Sequence, residues 1–225
     1  MGVRVLCLRH AESENVVAQV AGALPSAELT PKGRAQAAGA AERLAGEGVT
    51  RIYVSTAVRA RQTAGIIAQA LGVREVVALG ELVEFGIGRL EGTGDPAVRA
   101  RTAEVLRSWV VEGRLGEAVA DGETGHAVVT RMAAAFASIA AARPSTTTAH
   151  PSETAAHPST TTALPGETAA LVGHVGSLTA GLSVLCRGLG ERVWGAPLPH
   201  AVPFPVEWGG RSWRCASWPA LRQDR

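Results

Sequence analysis

An arginine and a histidine follow directly on a short apolar run near the start of the chain. Residues 3–8 are typical of a buried strand, and Arg9 and His10 come where that strand ends. The planar fork of an arginine can hold two phosphate oxygens at once. An imidazole changes charge close to neutral pH and can act as a nucleophile. The pair therefore indicates a site that binds and attacks a phosphate group.

Three other segments carry side chains that suit the same chemistry. Arg59 follows the strand-like run 51–55, Glu84 lies in a glycine-containing segment, and His174 follows the strand-like run 171–173. Taken alone, each has an ordinary structural explanation, because most arginines and glutamates are simply exposed. Since both histidines end strands, and the sites of α/β folds lie at strand ends, we expect them to meet.

The segments between these residues alternate between strand-like and helical patterns. Strands are predicted at 3–8, 51–55, 76–79 and 171–173, with a C-terminal hairpin across Gly209-Gly210; helices are predicted from Thr30-Pro31 through 34–46, and at 57–71, 97–112, 127–142 and 177–189. This alternation predicts an α/β fold, a three-layer α/β/α sandwich with a mostly parallel central sheet. The length suits a single domain over residues 1–225.

A 14-residue unit occurs twice in tandem between residues 144 and 171. The second copy, 158–171, differs from the first, 144–157, at three positions. Proline, serine and threonine dominate, so there is little to bury, and a solvated low-complexity loop is predicted at 144–168. The end of the second copy is predicted to lead into a strand.

Composition argues against several classes of function. The net charge is +2, and the arginines are scattered among 20 acidic residues, which does not favour nucleic-acid binding. No apolar stretch is long enough to span a bilayer and the start lacks a signal peptide, so we expect a cytoplasmic protein with no membrane partner. The three cysteines fit neither a disulfide framework nor a zinc pattern. The sequence leaves a homodimer open.

Five segments, in order, resemble motifs of the histidine phosphatase superfamily, also called the phosphoglycerate mutase-like family. They are LRHAES (8–13), LTPKGRAQA (29–37), STAVRARQTA (55–64), LVEFGIGRLEG (82–92) and GHVG (173–176). The resemblance covers residues 3–190 and implies the phosphoglycerate mutase-like fold. The chain departs from the family pattern at Ala11 and Val175, where glycine is usual.

The resemblance implies a role for each of the five side chains. His10 is expected to be the nucleophile that takes up the phosphoryl group, with Arg9 and Arg59 clamping its oxygens. His174 is expected to donate a hydrogen bond to the same group. Glu84 is expected to protonate the leaving oxygen and then to act as the base for water.

Four further positions have weaker claims on the site. Asn15 is expected to bind substrate, although the family's usual asparagine lies one residue further on. The backbone N–H of Val175, at a predicted helix start, is expected to bind an anion. His126 is predicted to be exposed, and the sequence does not decide whether His200 reaches the substrate or serves its loop.

The expected function is that of a histidine acid phosphatase-type phosphomonoesterase. It would hydrolyse a small phosphorylated metabolite through a phosphohistidine, with no metal and no cofactor. The alternative within the family is a phosphoglycerate mutase, which usually has longer insertions around its pocket than the short region 93–122 provides. A non-catalytic phosphate-binding protein is a third hypothesis, and the complete set of five side chains argues against it.

Overall fold

The computed structural model describes residues 2–142, 167–219 and 221, and in these parts of the chain six strands form one sheet. The strands are β1 (Val3–Arg9), β2 (Val49–Ser55), β3 (Glu75–Leu79), β4 (Thr168–Gly173), β5 (Phe204–Trp208) and β6 (Trp213–Cys215). Their order is β3-β2-β4-β1-β5-β6. The first four strands in that order are parallel to one another. At the other edge, β5 pairs antiparallel with β1, and β6 pairs antiparallel with β5. The predicted α/β class and mostly parallel sheet are confirmed.

Seven helices accompany this sheet within the same described residues. They are α1 (Glu14–Val17), α2 (Pro31–Leu44), α3 (Val58–Leu71), α4 (Pro96–Val110), α5 (Gly125–Ala141), α6 (Val175–Leu185) and α7 (Gly190–Val193), with 3₁₀ turns at Gly80–Leu82 and Gly88–Leu90. The short helices α1 and α7 have no counterpart in the sequence predictions. None of the described helices combines the length and apolar character needed to cross a bilayer.

Strand β1 shows how one sheet forms two cores. Side chains alternate between the faces of a strand, so Val5 and Cys7 point to one side and Leu6 and Leu8 to the other. The first pair belongs to the core that includes residues of α4, α5 and α6, and the second pair to the core that includes residues of α2 and α3. This arrangement is the predicted three-layer sandwich.

Helix α2 begins where its capping residues require. The Thr30 side chain accepts a hydrogen bond from the Gly33 N–H at 2.9 Å, and Pro31 occupies the first helical turn, where no N–H is needed. A Cβ atom at Gly33 would lie 1.9 Å from the carbonyl oxygen of Glu12. Glycine therefore allows α2 to pack directly on the loop that follows His10.

The structure can be compared with the predictions for the C-terminal hairpin and for the end of the tandem repeat. Strands β5 and β6 pair antiparallel and confirm the predicted hairpin, but Trp208 lies opposite Trp213, so the connection is residues 209–212 and the turn predicted at Gly209-Gly210 alone is wrong. The predicted repeat loop, 144–168, lies outside the described residues except for its last two positions. Thr168 already belongs to β4, so the strand begins three residues before the predicted run 171–173.

The parallel register brings the predicted histidines to one edge of the sheet. Arg9 pairs with Gly173 at the ends of β1 and β4, so His10 and His174 leave neighbouring strands side by side. Strand β2 pairs with the other side of β4 and ends at Ser55. Three polar side chains therefore emerge together at the carboxyl ends of three adjacent parallel strands.

Candidate active site

His10 is held by the backbone at the centre of this edge. Its N–H donates to the Gly173 carbonyl at 2.9 Å, and its ring Nδ1 lies 2.7 Å from the Ala11 carbonyl oxygen. A carbonyl oxygen only accepts, so Nδ1 carries the proton and Nε2 carries a lone pair. The ring is only 3% exposed. The expected backbone contact to one ring nitrogen is present, and it leaves the other nitrogen free to react.

Arg59, at the start of α3, joins both histidines to a neighbouring loop. Its Nε donates to Nε2 of His10 at 3.1 Å, and one terminal nitrogen contacts Nδ1 of His174 at 3.2 Å. The guanidinium also donates to the carbonyls of Leu24 at 2.6 Å and Ala23 at 2.7 Å. Since the side chain is 1% exposed, these contacts fix its position.

His174 is completely buried beside His10. The two ring centroids lie 5.0 Å apart. Arg59 can only donate to Nδ1 of His174, so the proton sits on Nε2, which lies 2.8 Å from the hydroxyl oxygen of Ser55. No role was predicted for Ser55, although it belongs to the STAVRARQTA motif (55–64) and ends a predicted strand.

Burial keeps both imidazoles neutral. It lowers the pKa of His10 well below the usual 6.5, and the nearby His174 and Arg59 side chains lower it further. Burial likewise lowers the pKa of His174, followed by the charge of Arg59. A neutral imidazole retains the lone pair that a nucleophile needs. The neighbouring arginines supply the positive charge that a phosphate group requires.

These lowered pKa values predict that acid destabilises the fold. The unfolded state binds a proton at each histidine near pH 6.5, whereas the folded state does not. The contribution of the two histidines to the free energy of unfolding should therefore be constant above about pH 6.5. Below that pH it should decrease as the pH falls, by up to about 1.4 kcal/mol per pH unit for each histidine. Urea unfolding between roughly pH 7.5 and pH 5 measures this slope, above the range in which carboxylates titrate.

The variant His174→Asn provides the control for that slope. It removes one titrating group, so the slope should fall by about one proton. An unchanged slope would show that other groups cause the acid sensitivity.

Arg9 ends β1 with spare hydrogen-bonding capacity. One terminal nitrogen donates to the Leu198 carbonyl at 3.2 Å, while the buried Nε has no partner among the described residues. Burial lowers the pKa of Arg9, and the Glu84 carboxylate opposes that effect. A buried donor without a partner is costly, and an anion at this position would satisfy it.

Glu84 caps the helix that follows His174. Its two carboxylate oxygens accept from the N–H groups of Gly176 at 2.9 Å and Ser177 at 2.8 Å, in the first turn of α6. The Phe85 N–H adds a third contact at 3.0 Å. The sequence predicted a proton donor here, and the structure shows that the same carboxylate also fixes the position of α6.

Gly176→Ala should disturb this cap. The added Cβ would lie 2.3 Å from the ring of Phe85 and 2.8 Å from a carboxylate oxygen of Glu84. We expect a loss of about 1–3 kcal/mol in the free energy of unfolding, measured in urea. Gly39→Ala in α2 is the matched control, because its Cβ would meet nothing within 4 Å. That variant should gain about 0.5–1 kcal/mol. Equal stability of the two variants would contradict the close packing at Gly176.

The loop that holds Arg59 has an unusual backbone. Gly22 has φ +111° and Leu24 has φ +37°, a value that costs a non-glycine residue energy. Glu91 secures the loop by accepting from the Ala23 N–H at 2.7 Å. The loop thereby directs two successive carbonyls at the guanidinium. These carbonyls were not predicted, because no side-chain pattern indicates where a backbone carbonyl points.

Ala11 fits its position without strain. Its φ is not positive, so the left-handed backbone that would favour glycine is not required. Its N–H donates to the Thr63 hydroxyl at 3.1 Å, and that hydroxyl donates to the Arg59 carbonyl at 2.7 Å. Thr63 therefore couples the loop after His10 to the helix that carries Arg59.

Four further positions, Asn15, Val175, His126 and His200, lie around the central side chains or away from them. The amide oxygen of Asn15 accepts from the Ser13 hydroxyl at 2.7 Å, and the described residues show no hydrogen bond from Asn15 to the five central side chains. Val175 opens α6 and lines a cavity beside Glu84. His126 is exposed, as predicted. His200 donates from Nδ1 to the His10 carbonyl at 2.9 Å, with ring centroids 5.6 Å apart.

The described residues contain no cluster of three or more His, Cys, Asp or Glu side chains that could hold a metal ion. The central histidines are neighboured by arginines, which repel a cation. The arrangement suits a polyanion instead, with two arginines and two histidines around one point.

Comparisons with known proteins found a family model and named relatives that match this chain. A family model described as histidine phosphatase superfamily (branch 1) matches residues 5–164. The probable phosphoglycerate mutase GpmB of Photorhabdus laumondii is 34% identical over 134 residues, which are 59% of this chain and 61% of that protein. The corresponding protein of Yersinia enterocolitica is 34% identical over 137 residues, 60% of this chain and 62% of its own. The chain thus spans about three fifths of the length of these curated relatives.

Solved structures share the fold at low sequence identity. A mycobacterial glucosyl-3-phosphoglycerate phosphatase superposes with a TM-score of 0.74 at 24% identity, covering 98% of this chain and 100% of that one. A protein named mycobacterial hydrolase 1 gives a TM-score of 0.75 at 23% identity, covering 99% and 100%. These likenesses concern the fold alone.

Proposed function

Because this chain belongs to the histidine phosphatase superfamily (branch 1), we propose that it hydrolyses phosphomonoesters through a phosphohistidine at His10. One observation carries the proposal. Nδ1 of His10 is protonated and held by the Ala11 carbonyl, so the lone pair of Nε2 faces the Arg59 guanidinium, where a phosphate would bind. This is the arrangement of an oriented nucleophile beside a phosphate clamp.

In the first step, Nε2 of His10 bonds to phosphorus while the bond between phosphorus and the alcohol oxygen breaks. Arg59 turns its N–H groups from Nε2 to the phosphoryl oxygens, and Arg9 contributes its unpartnered Nε. The leaving oxygen keeps the electron pair of the broken bond and receives a proton from the Glu84 carboxyl group. The ring becomes positively charged, and the Ala11 carbonyl stabilises its Nδ1–H.

In the second step, water attacks phosphorus and gives its proton to Glu84. The bond between nitrogen and phosphorus breaks, its electron pair returns to Nε2, and inorganic phosphate leaves. Glu84 exchanges one of its helix contacts for a proton-transfer partner in each step. The arginines and histidines supply the charge stabilisation, so we propose that no metal takes part.

A phosphoglycerate mutase is the second candidate, and the names of the similar relatives favour it. A mutase must shield its phosphohistidine from water. In the described part of the chain, the region from Gly92 to Asp121 holds only α4 and a short connection. This small cover supports hydrolysis over transfer.

The test is phosphate release from a panel of phosphomonoesters in excess chelator, with 3-phosphoglycerate included. We expect inorganic phosphate from several esters at a rate that the chelator does not change. Conversion of 3-phosphoglycerate to 2-phosphoglycerate without phosphate release would instead establish the mutase. Binding of phosphate without either reaction would indicate a binding protein.

We propose a small soluble metabolite as the partner and the cytoplasm as the compartment. The described cysteines, Cys7, Cys186 and Cys215, are all free, which fits a reducing environment. A homodimer stays open.

A further inference from the structure

A cavity of about 270 Å³ lies against the phosphate site. Glu84 and Val175 line it, and so do Ala21 and Gly22. The two residues that follow them in the chain hold Arg59 through their carbonyls. The cavity therefore shares Glu84 and this loop with the phosphate site, and it lies beside the group expected to protonate the leaving oxygen.

The polar side chains of the cavity wall already have partners within the protein. Glu84 accepts from the amides of α6, and the Thr102 hydroxyl donates to the Val98 carbonyl at 2.7 Å. Arg99 donates to the carbonyls of Gln19 at 3.0 Å and Gly94 at 2.6 Å, and to the Gln19 side chain at 3.1 Å. Few groups are left to bind the hydroxyls of a ligand.

The rest of the wall is apolar, and its deepest side chains are firmly packed. Its apolar side chains are Ala21, Phe85, Ile87, Ala103, Leu106 and Val175. Phe85 meets Trp109 edge-on at 5.1 Å between ring centroids, and Ile87 is completely buried. A hydroxyl placed against such a wall loses its hydrogen bonds to water without replacement, whereas an apolar group gains by leaving water.

We propose that this cavity receives the alcohol part of the substrate, and that the substrate is a phosphomonoester of an apolar alcohol rather than of a sugar. The inference rests on the proposed phosphatase function. The phosphate lies between the arginines and histidines, the ester oxygen faces Glu84, and the carbon skeleton packs against Phe85 and Val175. Val175 adds apolar surface at a position where the family usually has glycine.

A matched pair of substrates tests the inference. Cyclohexylmethyl phosphate and glucose 6-phosphate both carry a six-membered ring on a primary ester oxygen, so they differ mainly in ring polarity. We expect kcat/KM for the cyclohexylmethyl ester to be at least about tenfold higher, since burying unpaired hydroxyls is penalised. Equal values or a preference for the sugar ester would overturn the inference and leave the phosphatase function intact.

A different result would contradict both the phosphatase function and the substrate preference. If no ester in the panel releases phosphate while the protein is folded by circular dichroism, the phosphatase function itself fails. If other esters are hydrolysed and the cyclohexylmethyl ester is not, only the inference fails.

Variants of helix α4 test whether the preference for the apolar ester arises in this cavity. Ala103 lines the cavity and Ala100 does not, and both are exposed on the same helix, so both tolerate substitution. Ala103→Gln should reduce the substrate ratio at least about fivefold, because it places an amide against the apolar wall. Ala103→Leu, of similar size, should keep the preference, and Ala100→Gln should match the wild type. Equal ratios for Ala103→Gln and Ala100→Gln would overturn the assignment of this cavity.

Discussion

His10→Ala is expected to abolish phosphate release, with kcat/KM falling by about four orders of magnitude or more. The substitution removes Nε2, the nitrogen whose lone pair faces the Arg59 guanidinium and which we propose attacks phosphorus. No covalent intermediate can then form, and the remaining charges only bind the ester. The measurement is steady-state hydrolysis, together with rapid alkaline quenching of the reaction with a ³²P-labelled ester. The wild type should retain label on the protein, and the variant should not.

His126→Ala is the control for this experiment. His126 is exposed on α5, and among the described residues no hydrogen bond joins it to the central side chains, so its removal should leave turnover and labelling unchanged. A His10→Ala protein that still hydrolyses esters at the wild-type rate would rule out His10 as the nucleophile. Label that persists on the variant would place the covalent group on another residue.

The positions of the two histidines were predictable because strand ends are visible in sequence. Apolar runs preceded both His10 and His174, although the run 171–173 covered only the last half of β4, and parallel pairing of β1 and β4 brought the two histidines together. The boundaries were less accurate, since α6 begins at Val175 rather than at the predicted residue 177. That start depends on Glu84, which caps α6 from a distant part of the chain.

Backbone groups account for much of what the sequence could not show. The carbonyls of Ala23 and Leu24 hold Arg59, yet nothing about these two side chains distinguishes them from ordinary loop residues. The cavity beside Glu84 and Val175 is likewise formed by residues from four separate segments of the chain. Sequence spacing identified the groups that do chemistry, whereas the groups that position them depend on the packing of distant segments.

Arg59→Lys should lower kcat/KM by about 10²–10³-fold although it keeps the positive charge. Arg59 uses its fork to donate to His10, to His174 and to two backbone carbonyls at once. A lysine has one compact ammonium group and cannot reproduce these directions, so the phosphoryl oxygens lose oriented donors in the transition state. We also expect the free energy of unfolding to fall by about 1–3 kcal/mol, because buried acceptors lose their donor. Kinetics and urea unfolding of the same preparation measure both effects.

Arg61→Lys on the same helix separates the two effects. Arg61 is exposed two residues further along α3, so this variant repeats the chemical change without touching the site. It should match the wild type in both measurements. If Arg59→Lys lost stability but kept its kcat/KM, Arg59 would be a structural link between the loop and the histidines, and Arg9 would have to hold the phosphate. A loss of turnover that exceeds any loss of folded protein would instead show that Arg59 stabilises the transition state, directly at the phosphate or through the two histidines that it contacts.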